Sequence, residues 1–568
     1  MLRKLYQLLL LLLLLLFTAC SYLSPLLEGG EGTKITGTIT HDRVPVKVDY
    51  ANAAALDYSN TYRETSKYIV VKALNKEGQV VAETTTNNKG QYKLYVPENT
   101  DIKIRAYARM LKKDVWDVVV VDNTNLKSMY VIEGNYHNSG TQSNERNLHA
   151  SSGWDGQSYS ATRSAAPFAI LDSISTIMQK AVQADDEISF PQLTINWSTN
   201  NVSAGGDPSF GQIGTSSYTA DNGEMWILGD ANADTDEYDD HIIIHEWAHF
   251  FEDKFSRSDS IGGGHSSGDT LDIRVAFGEG FGNAMSAIAT DDPIYFDTSG
   301  YNQSSGWSMN VESGYAENPG WISEASIQRI LYDLYDDNND GLDTISLGFA
   351  PLYKAMIKGE RNTKAFTSIF TFINALKSEN SSDASGIDQV VSSERINTIH
   401  DAYGSNISNR ANGVFDAPLY RTLPIGKGVT QCNKNTYGVY NKLGNRTFMR
   451  VAIPQSGVYT FAAQPYGASY GDPDIVLYNT SYPYDIKGMS PLEGQNSDAF
   501  AIELDKGDYM LETYDNSFSN SCYTITLTKG FDATQMNKLN KSSISQKTTI
   551  ETRPLETHRQ PERRPLSK

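Results

Sequence analysis

Beyond residue 20 the 568-residue chain contains no apolar run approaching eighteen residues, so its body offers no transmembrane helix. Positive charge is also short, with 48 Lys and Arg against 68 Asp and Glu. Setting aside the first twenty residues (net +2) and the last thirty-eight (net +4), the formal charge of −20 becomes about −26 on the body. A body this acidic repels phosphate backbones, so nucleic acid is not expected as a partner, while solubility is favoured. Cysteine is scarce: three residues allow at most one disulfide within the chain. Histidine, at nine residues, is scarce enough that a cluster of imidazoles is informative.

The length is too great for a single core and suggests three or four domains. Hydrophobic content of 39%, 33 Tyr and 44 Gly suit β-rich modules with polar loops. The chain opens as an export signal. Arg3 and Lys4 form a basic start, Leu8–Phe17 is an apolar stretch too short to span a bilayer, and Thr18-Ala19-Cys20 closes it. A small residue before a cysteine resembles the bacterial lipoprotein cleavage box. That resemblance implies lipidation of Cys20 and attachment to the cell envelope through a lipid anchor. Ser21 rather than Asp implies the outer membrane; cleavage as an ordinary signal would instead make the protein secreted.

After signal residues 1–20 and a spacer over 21–33, residues 34–135 alternate as strands at Ile35–Ile39, Lys67–Leu74 and Gln79–Thr84. A turn at Asn88-Lys89-Gly90 precedes another strand ending at Val96. This stretch resembles the transthyretin-like, carboxypeptidase-regulatory-like β-sandwiches and carries no catalytic pattern. Residues 136–166, rich in Ser, Asn, Gly and Thr, read as a linker. A helical pattern opens at Pro167, and Leu193–Trp197 and Met225–Leu228 read as strands. The second of these leads through the acidic loop 230–240 into the central motif, and its free edge is expected to bind an extended peptide.

That motif is H-E-x-x-H, at His245, Glu246 and His249. On a helix, residues four apart share a face, so both imidazoles can hold one metal ion while Glu246 reaches a water beside it. A catalytic zinc usually needs a third protein ligand, and Glu252, His265, Glu279 and Glu312 compete. Glu252 lies about 10 Å along the helix axis from His245, too far to converge. His265, in a Gly-Gly-Gly-His loop, is free to swing in. Glu279 lies in a helical stretch, Leu271–Ala289, that carries Gly278, Gly280 and Gly282. Each glycine costs about 1 kcal/mol against alanine, a cost that allows another backbone to approach closely. Glu312 sits in an unspecific loop. The metzincin pattern is excluded, because Glu252 and Phe255 stand where that family needs Gly and His.

H-E-x-x-H followed by a Gly-Glu-Gly helix resembles the gluzincin, thermolysin-like zinc peptidases over roughly residues 167–425. The resemblance implies an α+β zincin domain, His245, His249 and Glu279 as zinc ligands, and Glu246 as general base. Asn283 stands where that superfamily has an Asp orienting a ligating histidine. The oxyanion donor is open between His265, Tyr315 and Tyr332. The resemblance also implies an endopeptidase acting on protein or peptide substrates. The alternative is a surface binding or adhesion lipoprotein with an inactive protease-like fold.

Trp321–Tyr335 is an amphipathic helix pattern, and Lys364–Leu376 and Glu394–Tyr403 read as further helices. Asp336, Asn338, Asp340 and Gly341 start like a calcium loop, but Leu347 replaces the closing Glu of an EF-hand. Calcium is therefore a candidate ion there and at the acidic loop 230–240. From residue 428 to 530 the period shifts to two, and G-V-Y-T-F-A-A with G-D-P-D-I-V-L-Y resembles the pre-peptidase C-terminal β-sandwich. With Cys20 lipidated in an oxidising compartment, Cys432 and Cys522 are left to pair. Residues 531–568 read as a disordered tail.

Overall fold

The computed structural model describes residues 31–49, 53–313, 316–338, 344–409, 417–467, 471–490 and 497–532. The signal region with Cys20, Tyr315, the calcium-like positions 340 and 341, and nearly all of the tail lie outside these residues. The chain divides into two compact units. Residues 31–45, 57–172 and 189–194 belong to the first, and the remaining described residues to the second. Both units are rich in β-sheet, and the site-bearing helices belong to the second.

The first unit is built on β1 (Thr33–Arg43), whose strict alternation of buried and half-exposed residues follows the period of two seen in its sequence. It pairs antiparallel with Gln91–Val96 and with Tyr62–Thr65. The turn before Gln91 closes through Gly90 N–H to Asn87 O, with Gly90 at φ +70°. The expected linker 136–166 is a correction. Asn144–Glu145 and Leu148–Ala150 pair in parallel with β1, and His137–Asn138 pairs with Asp101–Lys112. These polar strands lie at sheet margins, where backbone pairing rather than an apolar face holds them, so alternation of hydrophobicity gave no sign of them.

In the second unit β2 (Ser217–Thr219) pairs antiparallel with β3 (Glu224–Ile227), followed by the short β4 (Asp234–Thr235). Two helices follow, α1 (Asp240–Phe255) and α2 (Ile273–Thr290), then the hairpin β5 (Ile294–Ser299) and β6 (Ser305–Asn310), and α3 (Glu324–Tyr335). Helix α2 packs against both α1 and α3, and its residues from Ile273 to Ala289 are all buried. A helix enclosed on every side is mostly apolar or small, as its Val, Ala, Phe and Gly provide, and its buried polar residues Arg274, Glu279 and Asn283 are each paired. Asp272 caps its start by accepting from Arg274 N–H, and Ser323 caps α3 in the same way. The helices expected at 364–376 and 394–403 are shifted: the structure has Ile369–Glu379 and Ala384–Ser393, and no helix over 394–403.

The C-terminal stretch forms two sheets. One orders Tyr420–Thr422, β7 (Arg446–Ile453), Gly507–Asp515, Pro473–Asn479 and Ile486–Met489; the other orders Val429–Asn433, Ser521–Lys529, Gly457–Pro465 and Asp498–Leu504. Residues from both sheets, among them Met449, Leu477 and Leu511 with Phe461, Ile525 and Leu527, share one buried cluster, the mark of a β-sandwich. Cys432 and Cys522 stand opposite each other on neighbouring strands and are joined by a disulfide. Arg274 of α2 reaches this sandwich. Its guanidinium, 2% exposed, donates to Glu512 at 2.8 Å, and Arg446 donates to the same oxygen at 2.7 Å.

Candidate metal centre

Helix α1 puts His245 and His249 one turn apart, and their Nε2 atoms are 3.1 Å from each other. Glu279, from the middle of α2, brings Oε2 to 3.3 Å from His245 Nε2 and 3.6 Å from His249 Nε2. Tetrahedral zinc with bonds of about 2.0–2.1 Å sets its ligand atoms about 3.3 Å apart. The three separations straddle that value, so the donor set fits zinc in both chemistry and spacing.

The far sides of both imidazoles are occupied in a way that turns Nε2 towards this point. His245 Nδ1 lies 2.9 Å from Asn283 Oδ1, and the Asn283 amide nitrogen donates to Gln328 Oε1 at 2.9 Å. Gln328 thus fixes the Asn283 amide with its oxygen facing the ring, so Nδ1 donates and Nε2 keeps its lone pair. His249 Nδ1 lies 3.1 Å from Glu252 Oε2. Glu252, set aside as a ligand on axial distance, therefore lies behind the ring and orients it.

Two of the three glycines are required by contact. A Cβ on Gly282 would stand 2.7 Å from His245 Cε1, and one on Gly280 would stand 2.8 Å from the Glu324 carbonyl oxygen of α3. Gly278 departs from the expectation, because its nearest neighbour, Glu252 Oε2, would be an ordinary 3.6 Å away.

His265 does swing in, but beside the donor set. Its Nε2 lies 3.1 Å from Glu279 Oε2 and its Nδ1 2.7 Å from Glu324 Oε2. Burial disfavours its charge, yet these two carboxylates outweigh burial and pull its pKa well above the usual histidine value. For Glu279, burial pushes the carboxyl up, but His265, His245 and His249 outweigh it and hold it well below the usual range. Glu279 is thus ready as an ionised ligand, whereas His249, where Glu252 and Glu279 outweigh burial and pull its pKa well above the usual histidine value, must give up a proton to bind a divalent cation.

Glu246, on the same helix, is half-buried, and its Oε2 accepts from the Tyr218 backbone N–H of β2 at 2.7 Å. This corrects the expected substrate edge: β3 has neighbours on both sides, and the strand at the end of the sheet is β2. Of the remaining candidates, Glu312 accepts from Asn338 Nδ2, and Tyr332 packs on Tyr335 under the influence of Asp336 and Glu312, so neither meets the histidines. Tyr295 of β5 is a residue the sequence reading missed. Its ring stands edge-on to His245 with centroids 6.3 Å apart. Burial, with Asp297 and Glu246, pushes its pKa well up, so its hydroxyl stays a donor. No sequence signal marked it, because it is one Tyr among 33 and is brought in by a hairpin nearly fifty residues downstream.

Comparison with known proteins gives one family match. Residues 180–391, the span holding every residue of this centre, match the Mycolysin C-terminal domain, which is associated with metallopeptidases. This span is thus similar to a peptidase-associated domain. No curated protein matches the chain. Among solved structures, the pre-peptidase C-terminal domain of a Bacillus anthracis collagenase aligns at 7% identity and TM-score 0.16, covering 19% of this chain and 93% of that one. The Yersinia pseudotuberculosis-derived mitogen aligns at 11% identity and TM-score 0.14, covering 19% and 86%. Scores this low carry no argument about function.

Proposed function

We propose that this chain is an exported zinc-dependent endopeptidase of gluzincin type, held at the bacterial envelope by a lipid on Cys20. The observation that carries the reading is the approach of His245 Nε2, His249 Nε2 and Glu279 Oε2 to within 3.1–3.6 Å of one another, with Glu246 beside them. The family match over residues 180–391 supports it from an independent direction. Export and lipidation rest on the sequence of residues 1–21 alone.

Zinc held by His245, His249 and Glu279 would supply Lewis acidity towards the scissile carbonyl and the attacking water. The chain's own residues do the rest. Glu246 takes a proton from the attacking water and delivers it to the departing amine nitrogen. The Tyr218 N–H holds one oxygen of that carboxylate and leaves the other for proton transfer. The Tyr295 hydroxyl is the candidate donor to the charge that develops on the carbonyl oxygen, since both nitrogens of His265 are engaged by Glu279 and Glu324. Strand β2, at the margin of its sheet, offers backbone groups to an extended peptide, so substrate is recognised chiefly through its main chain.

Glu246→Gln tests the proposal. Cleavage of a generic protein substrate should fall at least about a hundredfold, while zinc content stays at the wild-type level. Activity within about tenfold of wild type would remove Glu246 from the proton-transfer role. A wild-type chain that binds zinc and cleaves nothing would favour the inactive, adhesive reading.

A further inference from the structure

We propose that Asp234, Asp236 and Asp297 form a second metal site, a calcium site that ties the chain entering α1 to strand β5. One carboxylate oxygen from each lies within 4.8 Å of the others. Opposite ligands in a calcium shell stand about 4.6–5.2 Å apart, from bonds of 2.3–2.6 Å. The donors are all oxygen, which suits a hard cation and not zinc.

A second observation points to a missing ligand. Asp236 is 3% exposed, and its Oδ2 accepts from Ser216 Oγ, but its buried Oδ1 has no hydrogen-bond partner. Asp234 Oδ1 is likewise buried and has no donor, and the Asp234 carboxyl lies against that of Asp236, with which it can bond only by sharing a proton. Leaving such oxygens bare costs free energy that only a proton or a cation can recover. Asp239 adds a fourth buried carboxylate, but both its oxygens are taken by Thr298 N–H and Oγ1. The charges bearing on Asp236 are Asp234, Asp297 and Asp239, all negative. A buried cluster whose largest charged neighbours are all carboxylates can be neutralised by one divalent ion in place of the protons that burial otherwise drives onto it.

The position gives the ion a role. Asp234 pairs with Ser299 at the end of β5, and α1 begins at Asp240, one and a half turns before His245. Tyr295 and Asp297 both belong to β5. Calcium bound here fixes the entry to the histidine helix and the strand that carries Tyr295.

The full chain is stripped with EGTA, and terbium is used as the probe, excited through Trp307, whose indole donates to Asp297. Terbium emission should saturate with one ion per chain and be displaced by calcium chloride. Calcium should raise the melting temperature by several degrees. Asp236→Asn and Asp297→Asn should each lose at least ten times in emission together with the calcium-induced shift, while Glu279→Ala keeps both. No emission and no shift in the stripped wild-type chain would overturn the proposal without reference to any variant. Emission that survives both Asp→Asn changes, or that disappears in Glu279→Ala, would overturn it by placing the ion elsewhere.

Discussion

Replacing Gly282 with alanine separates the requirements of the helix from those of the metal centre. The added Cβ would stand 2.7 Å from His245 Cε1, 2.8 Å from Nδ1 and 3.0 Å from Cγ. Carbon atoms settle at about 3.5–4.0 Å, so the ring must retreat by close to an ångström. It cannot retreat by rotating, because Nδ1 is held by Asn283 and that amide by Gln328. Overpacking of this kind costs about 1–3 kcal/mol, and the gain in helix propensity of about 1 kcal/mol offsets part of it. Stability should therefore fall by no more than about 2 kcal/mol. Zinc affinity should fall by at least the 10–100-fold seen when ligand orientation is lost. Gly278→Ala is the control: its Cβ meets nothing closer than 3.6 Å. It should gain up to about 1 kcal/mol of stability and keep its zinc. Competition titration against a chromophoric chelator, with thermal melts on both variants, reads the two effects apart. Wild-type zinc affinity in Gly282→Ala would refute the contact argument.

Two further outcomes follow from the C-terminal sandwich. Burial pushes the Glu512 carboxyl up, but Arg274 and Arg446 outweigh it and hold it well below its ordinary value of 4.5. Its contribution to stability is thus complete above pH 4.5 and is lost as pH falls towards the depressed folded value. Glu512→Gln should cost about 3–5 kcal/mol at neutral pH by leaving the buried Arg446 without its carboxylate and Arg274 with Asp272 alone, and should flatten the acid limb of stability measured in urea between pH 3 and 6. Cys432→Ser removes a bridge closing a separation of 90 residues, which should cost about 4–5 kcal/mol on the chain-entropy model; an unchanged urea midpoint would contradict that.

Much of this centre was legible because it is local. His245, Glu246 and His249 declare themselves within five residues, and Asn283 follows Glu279 by one helical turn. Glu279 was marked by glycines, a signal that misled at Gly278, which no neighbour requires. The rest depends on chain folding back from a distance. Glu324 reaches His265 across 59 residues, Tyr295 arrives on a hairpin, and Gln328 orients Asn283 from another helix. None of these has a periodicity of its own. The strands at 144–150 were invisible for a related reason: parallel pairing to β1, more than a hundred residues away, needs only backbone groups, which every sequence has. The edge strand was misplaced by one because β2 is three residues long, below the length at which alternation can be recognised.

The zinc content of two purified variants, measured by mass spectrometry after dialysis, tests the central claim most directly. The wild-type chain should retain about one zinc at the histidine centre. Glu279→Ala should come out nearly empty, because a two-histidine remnant lacks the third donor now standing 3.3 and 3.6 Å from the imidazole nitrogens. His265→Ala should stay loaded, because His265 meets the centre only through Glu279. An empty His265→Ala and a fully loaded Glu279→Ala would contradict the account and make the centre a three-histidine site.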